Sequence, residues 1–203
     1  MKGERLGGRW GGDQVVKLSD HIVAKVGFGV FASEAAMQEF AYNNLDRNIV
    51  RIPKIYRYFE SETDDPFGYL FMDPTPGPVD GSEPIGYIWG DYGARTAFKS
   101  VEDLNVYMNS RLKYRNDTID LKPHPFVLCH GDICRRNIIL QNDGSICFLD
   151  WAYAGFYPRF FELATISCVL PYVDNFRKPI MHEVESAMKL TEEEKLHMKL
   201  VLY

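Results

Sequence analysis

No stretch of the chain approaches the roughly 20 apolar residues that a bilayer span requires, and the opening "MKGERLGGRWGG" lacks the apolar core of a signal peptide. Both absences lead to the expectation of a cytoplasmic protein with no membrane partner. Cysteine is scarce: Cys129, Cys134, Cys147 and Cys168 all fall in the C-terminal half and form no C-x-x-C pair. Neither a zinc site nor a disulfide scaffold follows from them, and buried free thiols are expected. Positive charge is also short, since 23 Lys and Arg face 28 Asp and Glu and leave a net charge of −5. Such a field does not attract nucleic acid, so an anionic ligand has to be gripped locally. What the chain does have is apolar mass: 46% of its 203 residues are hydrophobic, enough for one ordinary domain or two small lobes.

Along the chain, "VVKL" and "HIVAKV" read as a hairpin turned at Ser19-Asp20. "SEAAMQEFAYNNL" follows as a helix, with Ser33 as its cap, Glu34 in its first turn, and Ala36, Met37, Phe40, Ala41 and Leu45 near helical spacing. "KIYRYFE" and "YLFMD" read as strands. The Pro- and Gly-rich "PTPGPVDGSEPIG" breaks regular structure and suits a linker. Residues 1–73 are therefore expected to form a β-rich lobe, 74–99 a linker, and 100–203 a mainly helical lobe. In the last, "SVEDLNVYMNSRL" opens with a capping pattern at Ser100, "FFELATISCVL" continues the helical character, and "TEEEKLHMKLVL" carries a capping box of Thr191 and Glu194.

The densest chemistry lies in "CHGDICRRNIILQNDGSICFLDW", residues 129–151. "NIIL" and "SICFL" flank Asp143-Gly144, a strong hairpin turn because glycine accepts positive φ. Asn137 then enters one strand and Asp150 leaves the other, so an amide oxygen and a carboxylate meet at the open end. Hard oxygen donors of this kind suit Mg²⁺, which fills its remaining positions with water and phosphate. Asp132, in the loop before Asn137, can take a proton from an attacking hydroxyl. Taken singly, an Asp or Asn here reads as a turn former. The ordered set, D-x-x-x-x-N followed by a strand-ending Asp, matches the catalytic loop and metal-binding Asp of protein-kinase-like phosphotransferases. His130 has no second His at ligand spacing and is expected to bond loop backbone. Arg135 and Arg136 can contact phosphate or pair with nearby carboxylates.

These motifs, "HGDICRRNIIL" and "FLDWAYAGFYPRFFELA", resemble the H-G-D loop and the I-D-W-E-x-A-G-like segment of the aminoglycoside phosphotransferase and choline kinase group. Weaker similarity runs through "HIVAKVG", "SEAAMQEF", "YLFMDPTPG" and "GYIWGDYGA". The resemblance implies an α+β, two-lobed protein-kinase-like fold and an ATP- and Mg²⁺-dependent transfer of the γ-phosphate to a hydroxyl of a small-molecule acceptor. It implies Asp132 as catalytic base, Asn137 and Asp150 as magnesium ligands, and Lys25 on the nucleotide phosphates. Glu34 resembles the acid that pairs with this lysine, with Glu39 the alternative, and backbone near Met72 and Asp73 would meet the adenine. The family usually carries further helices between hinge and catalytic loop, so both lobes are expected to be abbreviated. A non-catalytic binding module that keeps the motifs is the rival reading, and a metal hydrolase built on H-G-D is the poorer third.

Overall fold

The computed structural model describes residues 4–8, 12–74, 88, 98, 100–168 and 174–202. Most of the expected linker, including all of "GYIWGDYGA" except Ile88, lies outside them. The chain divides into two compact units, one of residues 1–84 with 135–154 and one of 85–134 with 155–203. No helix among the described residues is long and apolar enough to cross a membrane.

The first unit is built on strands β1 (Glu4–Gly8), β2 (Gln14–Ser19), β3 (Ile22–Gly27), β5 (Ile55–Glu60) and β6 (Gly68–Met72), paired antiparallel in the order β1-β2-β3-β6-β5. The β2–β3 hairpin forms as its β-branched runs predict, and its turn is held by the Ser19 hydroxyl, which accepts from the His21 N–H at 3.2 Å. Gly68 opens β6 because the chain passes close by: a Cβ there would lie 1.9 Å from the Val30 carbonyl oxygen. Helix α1 (Ala32–Asn44) follows β3, but Ser33 does not cap it. The cap position is Phe31, without a side-chain bond, and Ser33 sits exposed in the first turn. The buried face of α1 is Glu34, Ala35, Gln38 and Ala41, whereas Phe40 and Leu45 are exposed. The apolar spacing thus misplaces the helix face: two polar side chains occupy it because each has an interior partner. For Gln38 that partner is the Pro53 carbonyl, 2.8 Å from Nε2.

The same unit contains a three-stranded sheet in the order β4-β9-β8, from β4 (Val50–Arg51), β8 (Ile138–Leu140) and β9 (Ile146–Phe148). The antiparallel β8–β9 pair is the expected hairpin. Gly144 takes φ +83° at its turn, and the Asp143 carboxylate accepts from both the Ser145 N–H and its hydroxyl. β4 pairs parallel to β9, joining Val50 to Ile146 and Arg51 to Cys147.

The second unit is mainly helical. Helix α2 (Val101–Leu112) is capped by the Ser100 hydroxyl, which accepts from the Asp103 N–H at 3.1 Å. Its Leu104, Met108 and Leu112 enter a core shared with Leu121, Phe160, Phe161 and Leu163, and each large side chain buried there contributes about 1.5–3 kcal/mol. Asn105 and Asn109 of α2 bond the backbone of the buried Ile119 and Leu121 at 2.8–2.9 Å, so the amides of both are satisfied. Two short strands, β7 (Phe126–Cys129) and β10 (Gly155–Pro158), pair antiparallel, and helices α3 (Phe160–Cys168), α4 (Asp174–Met188) and α5 (Glu192–Leu200) follow. The four cysteines are free.

The capping box at α5 is present as expected, and it is also braced. The Glu194 carboxylate accepts from the Thr191 N–H at 2.8 Å and is gripped by Arg159 through two bonds of 2.7 and 2.8 Å. The Arg159 bond, with the capping N–H behind it, holds Glu194 well below the usual carboxylate range, at about 2. A folded-state value below the ordinary 4.5 stabilises the fold above pH 4.5, and that contribution is lost as pH falls towards 2. In thermal melts, Glu194→Gln is therefore expected to melt below the parent at pH 7, with the gap closing by about pH 2. A gap independent of pH would exclude the paired carboxylate as its source.

Candidate functional site

Lys25 follows the buried Val23 and Ala24 in β3 and is itself only 9% exposed. A lysine survives burial when its ammonium is paired, and this one has two carboxylates: Glu34 Oε1 at 2.7 Å and Asp150 Oδ1 at 3.0 Å. Burial alone would lower its pKa, but Glu34 and Asp150 together outweigh that and raise it, so the ammonium stays charged. Of the two acids left open by the sequence, Glu34 makes the pair and Glu39 is exposed. Glu34 is 1% exposed, and burial pushes its carboxyl up to about 7 against the opposing pull of Lys25. Its second oxygen, Oε2, is buried with no partner among the described residues. Its place in the first turn of α1 adds the favourable helix dipole.

Asp150 reaches Lys25 from the hairpin end. The Leu149 N–H donates to the Asn137 carbonyl at 2.9 Å, one step beyond the β8–β9 ladder, so Asn137 and Asp150 stand at the hairpin's open end as the register predicts. Asp150 takes φ +59°, in the left-handed region, which costs a non-glycine residue about 1–3 kcal/mol. Asp tolerates that conformation better than most residues. Asn137 is 4% exposed and Asp150 partly exposed. An amide and a carboxylate presented together are a hard-oxygen donor set that fits Mg²⁺.

At the far end of the sheet, Met72 pairs with Val23 and Ile55 as the last residue of β6, and Gln38 Nε2 lies 3.5 Å from its sulfur. The Asp73 N–H donates to the Lys54 carbonyl at 3.0 Å, and its carboxylate accepts from the Lys54 N–H at 3.2 Å and from the Tyr56 hydroxyl. The backbone leaving the sheet is therefore held in one path.

The H-G-D loop belongs to the second unit and is organised around an acid that the sequence motifs do not single out. Glu162, in the first turn of α3, accepts from the His130 N–H and, at 3.1 Å, from the Gly131 N–H. Burial raises its carboxyl to about 7, partly offset by those two bonds, while the nearby Asp132 charge raises it further. Gly131 takes φ +77°, and the Asp132 N–H donates to His130 Nδ1 at 3.3 Å, so His130 does bond loop backbone. Asp132 is 1% exposed. The signal that could have found Glu162 is its isolation: it is the single charged residue in the apolar run "FFELATISC".

Residues 100–190 match the family described as Phosphotransferase enzyme family. Ethanolamine kinase 2 of Mus musculus is 32% identical over 57 residues, which make up 28% of this chain and only 15% of that protein. Among solved structures, a thermostable mutant of the aminoglycoside phosphotransferase APH(4)-Ia in its apo form aligns with a TM-score of 0.60 at 13% identity, over 100% of this chain and 84% of that one. A ternary complex of such a mutant with AMP-PNP and hygromycin B gives 0.58 at 12% identity, over 98% and 83%. Spectinomycin phosphotransferase APH(9)-Ia, in complex with ADP and spectinomycin, gives 0.55 at 14% identity, over 98% and 77%. At these identities the structural likeness is one of fold. The chain thus has the α+β, protein-kinase-like fold of the aminoglycoside phosphotransferases, and its residues 100–190 match the Phosphotransferase enzyme family.

Proposed function

We propose that the protein is an ATP- and Mg²⁺-dependent phosphotransferase that moves the γ-phosphate to a hydroxyl of a small molecule. The observation that carries this reading is the buried Lys25 ammonium held between Glu34 and Asp150. A structural lysine needs one counter-charge. A lysine facing two carboxylates, one of them on a strained residue beside an Asn, belongs to a cluster that is short of positive charge. Asp150 and Asn137 would hold Mg²⁺, which would supply that charge and offset the charge of the ATP phosphates. Glu34 keeps the Lys25 stem aimed, and Lys25 binds the phosphate oxygens. Backbone near Met72 and Asp73 takes the adenine.

Asp132 is the base in this reading. The acceptor oxygen bonds to the γ-phosphorus, the bond from that phosphorus to the β,γ-bridging oxygen breaks, ADP leaves with its electron pair, and the hydroxyl proton passes to the Asp132 carboxylate. Glu162 fixes the loop through the His130 and Gly131 amides and so acts as a positioning residue. AMP-PNP and ADP in the complexes of the fold relatives support the nucleotide part of the proposal. Hygromycin B and spectinomycin in those complexes support a small hydroxylated acceptor. A reaction that consumes Mg·ATP would place the protein in the cytoplasm, where both are available.

Two experiments bear on this. Mg·ATP is expected to raise the melting temperature of the parent chain, because a ligand bound only by the folded state stabilises it. Asp150→Ala should abolish that shift, measured against its own ligand-free melt, which the lost Lys25 counter-charge and the left-handed backbone are expected to lower; a retained shift would remove Asp150 from the metal site. With a confirmed acceptor, Asp132→Asn is expected to cut turnover on the order of 10²-fold or more with little change in nucleotide affinity. Nucleotide binding in the parent with no turnover on any of a panel of amino sugars and small alcohols would favour the binding-module reading.

A further inference from the structure

Three side chains of the second unit that have no part in the proposed phosphotransfer site converge. His124 lies in the turn before β7, fixed by its own N–H donating to the Leu121 carbonyl at 3.2 Å. Glu193 and His197 stand four residues apart on α5 and so share one helix face. One donor atom from each of the three lies within 4.8 Å of the other two. His124 Nε2 and His197 Nδ1 are 3.0 Å apart. In a tetrahedral zinc site with Zn–N bonds of about 2.0–2.1 Å, neighbouring donors stand about 3.3 Å apart. The imidazole pair is within a few tenths of an ångström of that spacing, and Glu193, exposed on its helix, closes the remainder by rotating.

From this convergence we propose that His124, Glu193 and His197 bind a zinc ion that clips α5 to the turn ahead of β7, with water in the fourth position. Two imidazole nitrogens and one carboxylate oxygen form a borderline donor set. It suits Zn²⁺ better than Mg²⁺ or Ca²⁺, which take all-oxygen shells.

The surroundings prepare the site. The Phe160 ring meets His124 edge-on at 5.1 Å and lies 6.0 Å from His197, so both imidazoles are oriented by the apolar core behind them. The rings stand at 83° to each other, an arrangement without stacking. Asn105 of α2 anchors the base of the 121–124 turn through the Leu121 N–H. Burial and the neighbouring His124 lower the His197 pKa, favouring the neutral ring that coordinates metal. Asp120 and Glu193 add negative charge beside it. The competing account is one hydrogen bond shared between the two imidazoles. That account uses a single proton where the geometry offers three donors, and it gives Glu193 no part.

The test uses the full chain stripped of metal, with Zn²⁺ itself as the probe in calorimetric titration and Co²⁺ as a spectroscopic stand-in. The parent is expected to bind one equivalent of Zn²⁺ in the folded state, to melt at higher temperature with it, and to give the visible absorption of tetrahedral Co²⁺. Removing a supporting partner of a metal ligand already costs about 10–100-fold in affinity, so Glu193→Gln, an exposed change that leaves the core untouched, should weaken Zn²⁺ binding at least tenfold. His124→Gln should abolish the Co²⁺ bands, and its circular dichroism shows whether the fold is kept. Asp150→Ala should bind Zn²⁺ like the parent, which separates this site from the magnesium site. No Zn²⁺ binding by the folded parent, or binding unchanged in Glu193→Gln, overturns the proposal.

Discussion

The ammonium of Lys25 is the group around which the first unit is arranged. A buried cation is tolerated only with counter-charges at contact distance, and here those come from two elements remote in sequence. Glu34 arrives on α1, nine residues on, and Asp150 on the β9 side of the hairpin, 125 residues on. For both to reach Lys25 the sheet must present it on the α1 side, α1 must roll its polar stripe inward, and the hairpin must end in a left-handed aspartate. Each of those requirements is met at a local cost. Gln38 and Glu34 displace apolar residues from the helix face, and Asp150 accepts a strained backbone. The cost is concentrated where the chemistry is expected.

The second unit solves a related problem with a different device. The H-G-D loop has no regular structure to satisfy its amides, and a buried loop cannot leave them bare. Glu162 takes two of them. Its carboxyl stands in apolar surroundings, with Asp132 adding like charge, and the two N–H bonds offset that burden. A glutamine at this position has one carbonyl oxygen and an amide that donates, so it would set a donor against one of the two N–H groups.

Much of this architecture was legible in the residues. The hairpins at 14–27 and 138–148 announced themselves through β-branched runs closed by turn formers, and the caps at Ser100 and Thr191 through short-range hydrogen-bonding patterns that depend on nothing distant. The interior face of α1 was not legible, because Met37, Phe40 and Leu45 mimic an apolar stripe while the true face is chosen by Lys25 and the Pro53 carbonyl. The two-residue strand β4 and the short pair β7 and β10 carry too few residues for a period to emerge. Asp150, Asn137 and Asp132 stand out in the sequence because their order along the chain is itself a pattern. Glu162 was missed because its partners are backbone groups, which no sequence names. His124 and His197 escaped for the plainest reason: 73 residues separate them, and only the packing of α5 brings them together.

The parallel pairing of β4 with β9 bears on the order in which the molecule is assembled. Strands β1, β2, β3, β5 and β6 with α1 close through contacts within the first 72 residues, and the β8–β9 hairpin needs only its own turn, so both can form early. Their union cannot. The Arg51–Asp143 ion pair spans 92 residues and the Lys25–Asp150 pair 125, so on the ribosome the first sheet must wait for the hairpin to be synthesised. Until then Lys25 has one counter-charge in place of two, and the edge of β4 is bare. The pairing around Lys25 is thus the last part of the first unit to be completed, and a nascent chain carries a nearly finished sheet before Asp150 has been made.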